Sequence, residues 1–200
     1  MVKHDCTEIN EAAFRDAGKT PAVVVFSWAR ASFDKEYERR KRLADYLRSL
    51  GACIVDFADY SNTINEIAKK VTRSNLIYLP GGLASVLIER LKARYVDELL
   101  RKYEGIIVGR SAGALALGKK CVVTKNRRNP TSTMVNGIEL VDFCLTAHYK
   151  PSKDKTLKNL SSGEKIYAIP ELSALVDDNG LLSSTGEVYL FQNGEKTRVD

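Results

Sequence analysis

The sequence predicts an α/β protein built on a mostly parallel sheet flanked by helices, with antiparallel strands toward its C-terminus. Three observations carry that prediction. Short apolar, β-branched runs alternate with amphipathic stretches through the first half of the chain, the pattern of parallel strands joined by right-handed helical crossovers. One of these units, GIIVGRSAGALALG over residues 105–118, passes from a fully apolar strand through a small-residue turn into good helix formers. The last third instead breaks into short strands divided by turn signals such as Asp178-Asn179-Gly180.

The elements follow in order. Residues 7–17 read as a helix with Thr7 as N-cap, closed by Gly18. Pro21 precedes a buried strand over residues 22–26, and residues 34–50 form an amphipathic helix with Leu43, Tyr46, Leu47 and Leu50 at helical spacing, stopped by Gly51. A strand over 53–57, a helix over 62–72 and a strand over 76–79 come next. Pro80-Gly81-Gly82 is a turn that opens a helix over 84–91, and a further helix over 95–103 leads to the strand 106–108. Ala114 to Leu117 continue as helix with Gly118 as C-cap. Strands are then expected over 143–147, 165–169, 174–177, 181–183 and 188–191, as an antiparallel extension of the sheet or a second small sheet. No linker or repeat separates these parts, so residues 1–200 read as a single domain.

Composition excludes several classes. No apolar run approaches membrane-spanning length, and the first six residues carry no apolar signal core, so neither a membrane protein nor a secreted one is expected. The net charge of +6 comes from Lys and Arg interleaved with Asp and Glu, as in residues 34–42, which describes a solvated helix face rather than a nucleic-acid surface. The four cysteines are scattered, with Cys53 and Cys144 in apolar runs that suit buried thiols, and only His4 and His148 are histidines. A zinc site is therefore not expected, and the thiols favour the cytoplasm.

The chemistry concentrates at Ser111. A strand that turns sharply into a helix through G-x-S-x-G projects its serine into a cleft and aims free N–H groups at an oxyanion. The alternative is a glycine-rich turn that only packs tightly. In open α/β sheets, sites lie beyond the carboxyl ends of the strands. Pro80-Gly81-Gly82 lies at such an end and is either a plain turn or the source of a second oxyanion donor beside the N–H of Ala112. Trp28, in the loop after the first strand, either walls a pocket or packs.

A serine nucleophile needs a base. His4 lies at the terminus, which leaves His148, at the carboxyl end of the strand 143–147. Glu171 follows another strand end and is placed to orient the imidazole, with Asp142 and Glu139 as competitors. The order Ser, His, Glu differs from that of the α/β-hydrolases.

Four stretches together resemble the peptidase S51 family, that is peptidase E (aspartyl dipeptidase) and its cyanophycinase relatives. They are Leu79-Pro80-Gly81-Gly82, Gly109-Arg110-Ser111-Ala112-Gly113-Ala114, Ala147-His148-Tyr149 and Ala168-Ile169-Pro170-Glu171, in the family's order over roughly residues 8–192. The resemblance implies a class I glutamine-amidotransferase-like, flavodoxin-like three-layer α/β sandwich and serine hydrolysis of aspartyl peptides. It carries the nucleophile to Ser111, the base to His148, the acid to Glu171 and the oxyanion donors to the N–H groups of Gly82 and Ala112. The chain departs from the pattern in three places. Residues 1–6 are short and polar where the family begins with a strand. A family aspartate falls near Asn126, and Arg110 stands where aspartyl dipeptidases resemble G-W-S-A-G.

The expected protein is a cytoplasmic serine peptidase acting on short peptides, acidic ones among them, without metal or cofactor, without nucleic-acid or membrane partners, and as a monomer or homodimer. An esterase or amidase with the same triad, and a catalytically silent small-molecule binder, are the alternatives. Arg110 is a candidate ligand for a substrate carboxylate, reinforced by Arg127 and Arg128; the other reading has it paired with Glu104 or solvated.

Overall fold

A computed structural model describes residues 7–123 and 132–199. His4, Cys6, Asn126, Arg127 and Arg128 lie outside the described residues. The chain divides into two compact units, Met1–Gly113 and Ala114–Asp200.

The first unit holds α1 (Thr7–Asp16), β1 (Ala22–Val25), α2 (Glu36–Ser49), β2 (Ile54–Phe57), α3 (Ile64–Thr72), β3 (Leu76–Leu79), α4 (Ala84–Ala93), α5 (Val96–Arg101) and β4 (Ile106–Gly109). Its four strands form one parallel sheet in the order β2-β1-β3-β4. β1 and β3 are apolar along their whole length because parallel strands inside the sheet meet cover on both faces, and all four residues of β3 are buried; the edge strand β2 instead carries Asp56. Phe14, Val23, Val25, Leu47, Leu76 and Tyr78 form one core cluster. α3 starts where Thr63 and Glu66 satisfy each other's backbone N–H groups in a capping box. Thr7, expected as a cap, is itself the first residue of α1.

α6 (Ala112–Leu117) leads into the second unit. There β5 (Gly118–Val123), β6 (Thr133–Asn136), β7 (Val141–Ala147), β8 (Ile166–Ile169), β11 (Val188–Gln192) and β12 (Glu195–Val199) form a six-stranded mixed sheet in the order β12-β11-β8-β7-β5-β6. A separate ribbon pairs β9 (Ala174–Asp178) with β10 (Leu181–Thr185). Between β7 and β8 run a 3-10 turn at Pro151–Lys153 and α7 (Asp154–Leu160). The C-terminal strands thus form sheets of their own rather than extending the first. The period of two shows in the packing. Cys144, Ile166 and Ala168 join one cluster with Val122, Tyr149 and Phe191, while Leu145 and Tyr167 join another with Val188.

Three expectations are corrected. Gly118 does not cap α6: it opens β5, buried, with space for no side chain before the Lys120 carbonyl. Cys53 is exposed because β2 begins one residue later, at the solvent side of an edge strand where Ile54 is also exposed. The strands β5, β6 and β12 and the helix α7 are additional to those expected.

Candidate active site

The geometry around Ser111 follows from strand register. β3 and β4 are parallel neighbours with Leu79 opposite Gly109, so both end at one edge of the sheet. The Arg110 N–H donates to the Leu79 carbonyl at 2.9 Å, which extends the pairing one residue past β4. Ser111 then turns into the left-handed region, with φ of 52°. A serine there is strained, and such strain persists only where surrounding contacts fix it.

Close approach by one glycine makes this turn possible. A Cβ on Gly113 would lie 1.9 Å from the Leu79 carbonyl oxygen, so only glycine lets α6 leave at this angle. Gly81 lies beside the serine: a Cβ on it would sit 3.8 Å from Ser111 Oγ. The Gly81-Gly82 turn has a close approach of its own, since a Cβ on Gly82 would lie 2.1 Å from the Ala29 carbonyl oxygen. Immediately after each expected donor, the next N–H along the chain is engaged internally. Leu83 donates to Ala29 at 2.6 Å and Gly113 to Arg110 at 2.9 Å. Ser111 is half-buried, Ala112 buried, and Gly82 and Arg110 exposed.

His148 and Glu171 meet in the second unit for the same kind of reason. β7 and β8 are parallel, with Ala147 opposite Ile169, so the residues after them leave from one edge. His148 takes a φ of 54°, and the following Tyr149 N–H donates back to the Ile169 carbonyl at 3.1 Å. That turn brings the imidazole to the segment after Pro170, where His148 Nδ1 and Glu171 Oε1 are 2.5 Å apart. Both side chains are open to solvent, at 53% and 68%. The competitor Asp142 is engaged elsewhere: Lys119 donates to it at 2.8 Å and holds its carboxyl below the usual carboxylate range. Asp142 lies on β7 itself and is 90% exposed.

Sequence reasoning missed Lys153, whose ammonium donates to the His148 carbonyl at 2.9 Å. Burial, with Lys150 nearby, lowers its pKa. No spacing signal marks it, because the 3-10 turn that delivers it is set by Pro151 and by the fold. Trp28 takes the packing role. It is fully buried, donates from Nε1 to the Ala58 carbonyl at 2.8 Å, and meets Phe26 and Tyr60 edge-on. Among the described residues, no three His, Cys, Asp or Glu side chains cluster to hold a metal ion, and no helix is long and apolar enough to cross a membrane.

The sequence pattern of Peptidase family S51 matches residues 17–185. The chain is 27% identical over 121 residues to the uncharacterized peptidase Lin0382 of Listeria innocua, covering 56% of this chain and 58% of that one. It is 26% identical over 141 residues to the uncharacterized peptidase Lmo0363 of Listeria monocytogenes, covering 64% and 69%. The matched segment thus spans less than two thirds of the first relative. Two crystal structures share the fold at 21% identity. A protein assigned to peptidase E in Listeria monocytogenes EGD-e has a TM-score of 0.66, over 90% of this chain and 92% of that one. A peptidase from an acI-B1 Actinobacterium has 0.67, over 96% and 87%. With the family pattern covering most of its length, this chain belongs to peptidase family S51.

Proposed function

We propose that the protein is a peptidase E-type serine hydrolase that cleaves short peptides through a Ser111–His148–Glu171 triad. The observation that carries this reading is the 2.5 Å contact between His148 Nδ1 and Glu171 Oε1. With Nδ1–H held by the carboxylate, Nε2 is left as the basic nitrogen, the tautomer a general base requires. In the reaction, Ser111 Oγ attacks the peptide carbonyl carbon while His148 Nε2 takes its proton. The Gly82 and Ala112 N–H groups receive the developing oxyanion. His148 then returns the proton to the leaving amine, and water releases the acyl group from Ser111 by the same steps in reverse order. Every proton moves among chain, substrate and water, so the proposed steps use no cofactor.

Arg110, exposed beside Ser111, is the proposed ligand for a carboxylate of the substrate. Asn126 is retained as a candidate substrate contact on the resemblance alone. Cys53, Cys121 and Cys144 are free thiols, which supports a reducing cytoplasmic setting; a monomer or homodimer is proposed with it. The test is labelling by a fluorophosphonate. The folded protein should take up one equivalent, Ser111→Ala none, and a dipeptide library should show turnover that Ser111→Ala abolishes. A folded protein that neither labels nor turns over any dipeptide would overturn the reading.

A further inference from the structure

Arg90, on α4, is far from Ser111 in sequence and belongs to none of the motifs, yet its guanidinium holds the segment against which Gly82 is packed. Its Nη1 donates to two carbonyls, of Trp28 at 2.9 Å and of Arg30 at 2.8 Å. These carbonyls flank Ala29. The Ala29 carbonyl accepts from the Leu83 N–H at 2.6 Å and sits where a Gly82 side chain would be. The Gly82–Leu83 peptide is therefore pinned against the Ala29 carbonyl, and the Ala29 peptide is held on both sides by one nitrogen of Arg90.

The arginine itself has little freedom. Its Cζ lies 4.7 Å from the centroid of Phe33 and 5.3 Å from that of Tyr60, two rings stacked at 27° to one another. Tyr60 in turn meets the buried Trp28 edge-on and the guanidinium of Arg94 at 5.5 Å. A planar cation fixed against two ring faces gives its hydrogen bonds a constant direction, which a flexible ammonium does not. Among the described residues, this cluster ties together the segments following β1 and β2 and the helix following the Gly81-Gly82 turn.

We infer that Arg90 is a positioning residue for the oxyanion site: through the Trp28 and Arg30 carbonyls it fixes Ala29, and through Ala29 the direction of the Gly82 N–H. This inference rests on the proposed role of Gly82. Loss of a whole oxyanion donor costs about 10²–10³ in rate, and a donor turned rather than removed should cost about tenfold or more.

The test measures the rate and the final stoichiometry of phosphonylation by a fluorophosphonate, whose reaction at Ser111 builds negative charge on the phosphoryl oxygen. In Arg90→Met, which keeps the apolar stem but loses the donors, the rate should fall about tenfold or more while labelling still reaches one equivalent. A merely structural role would lower the stoichiometry instead, through a misfolded fraction. Arg90→Lys, which restores donors, should recover part of the rate. An unchanged rate in folded Arg90→Met, or a lysine variant no faster than the methionine one, would overturn the inference. Should Arg90→Met fail to fold, Phe33→Leu removes one ring from a partly exposed position, and an unchanged rate there would overturn it. If wild type takes up no label, the proposed function fails, and the inference with it. Full labelling of wild type with an indifferent Arg90 sinks the inference alone.

Discussion

Replacing Glu171 by Gln tests the triad most directly, because it removes one charge and leaves the side-chain shape. The contact with His148 Nδ1 is short, at 2.5 Å, and a charge-assisted bond of this kind is worth about 1.5–3 kcal/mol. In a buried triad the corresponding change costs about 10⁴ in rate, since the imidazole settles in the wrong tautomer and nothing replaces the carboxylate. Here the two side chains are 53% and 68% exposed, so water can take the place of part of the lost interaction. The expected loss is therefore about 1.4–2.8 kcal/mol of transition-state stabilisation, or roughly 10- to 100-fold in the rate. His148→Ala, which removes the base itself, should cost about 10³-fold or more. The assay is the phosphonylation rate, followed by kcat/KM on whichever dipeptide the library identifies. Asp142→Asn serves as the control and should react at close to the wild-type rate, its carboxylate being engaged by Lys119. A Glu171→Gln rate near wild type together with a slow Asp142→Asn would refute the assignment of the third residue.

Other contacts in the molecule have measurable consequences. Arg110→Met should raise KM for a free-acid dipeptide about tenfold more than for its amide, with the acid preference fading in high salt; equal effects would remove Arg110 from the site. Asp154 accepts from the Tyr149 hydroxyl and, at 3.2 Å, from Lys196. Burial, the largest single influence, raises its pKa, but these hydrogen bonds together with the charges of Lys196 and Lys158 outweigh it and leave the carboxyl below its usual range. The stability it contributes is thus present above the ordinary carboxylate range and lost as pH falls through the depressed value. Asp154→Asn should lower Tm by about 2–4 °C at pH 7, for a loss of ~1 kcal/mol, and the difference should shrink toward pH 3. A constant difference would count against the linkage. Burial raises the Cys121 thiol to about 11 and, with Glu164 alongside, the Cys144 thiol to about 12. In a Cys6→Ser background, a disulfide reagent at pH 8 should therefore titrate one thiol, Cys53, in the native protein and three after denaturation. Rapid native reaction of all three would contradict the burial.

The sequence by itself determined the parallel sheet and the Ser111 turn, because both rest on local physics. A strand covered on both faces must be apolar throughout, so β1, β3 and β4 are visible as runs. The glycines of the Ser111 turn are visible because close backbone approach tolerates nothing larger, as the 1.9 Å between a Gly113 Cβ and the Leu79 oxygen bears out. The second unit was less legible. β12 reads Glu195-Lys196-Thr197-Arg198-Val199 and has no apolar run, since an edge strand needs cover on one face at most. The Asn193-Gly194 pair before it, at φ of 51° and 81°, is the hairpin signal that marks it. α7 buries little besides Leu157, too little for its periodicity to stand out. The sequence already favours Glu171 over Asp142 and Glu139, from its place after a strand end, but the contact between Glu171 and His148 comes from tertiary structure alone. Asp142 lies close to His148 along the chain, but it sits near the start of β7 while His148 turns away beyond the strand's far end. Glu171 arrives from a neighbouring strand because β7 and β8 end in register. Local sequence specifies a strand, and only the pairing of two strands decides which side chains leave their ends together.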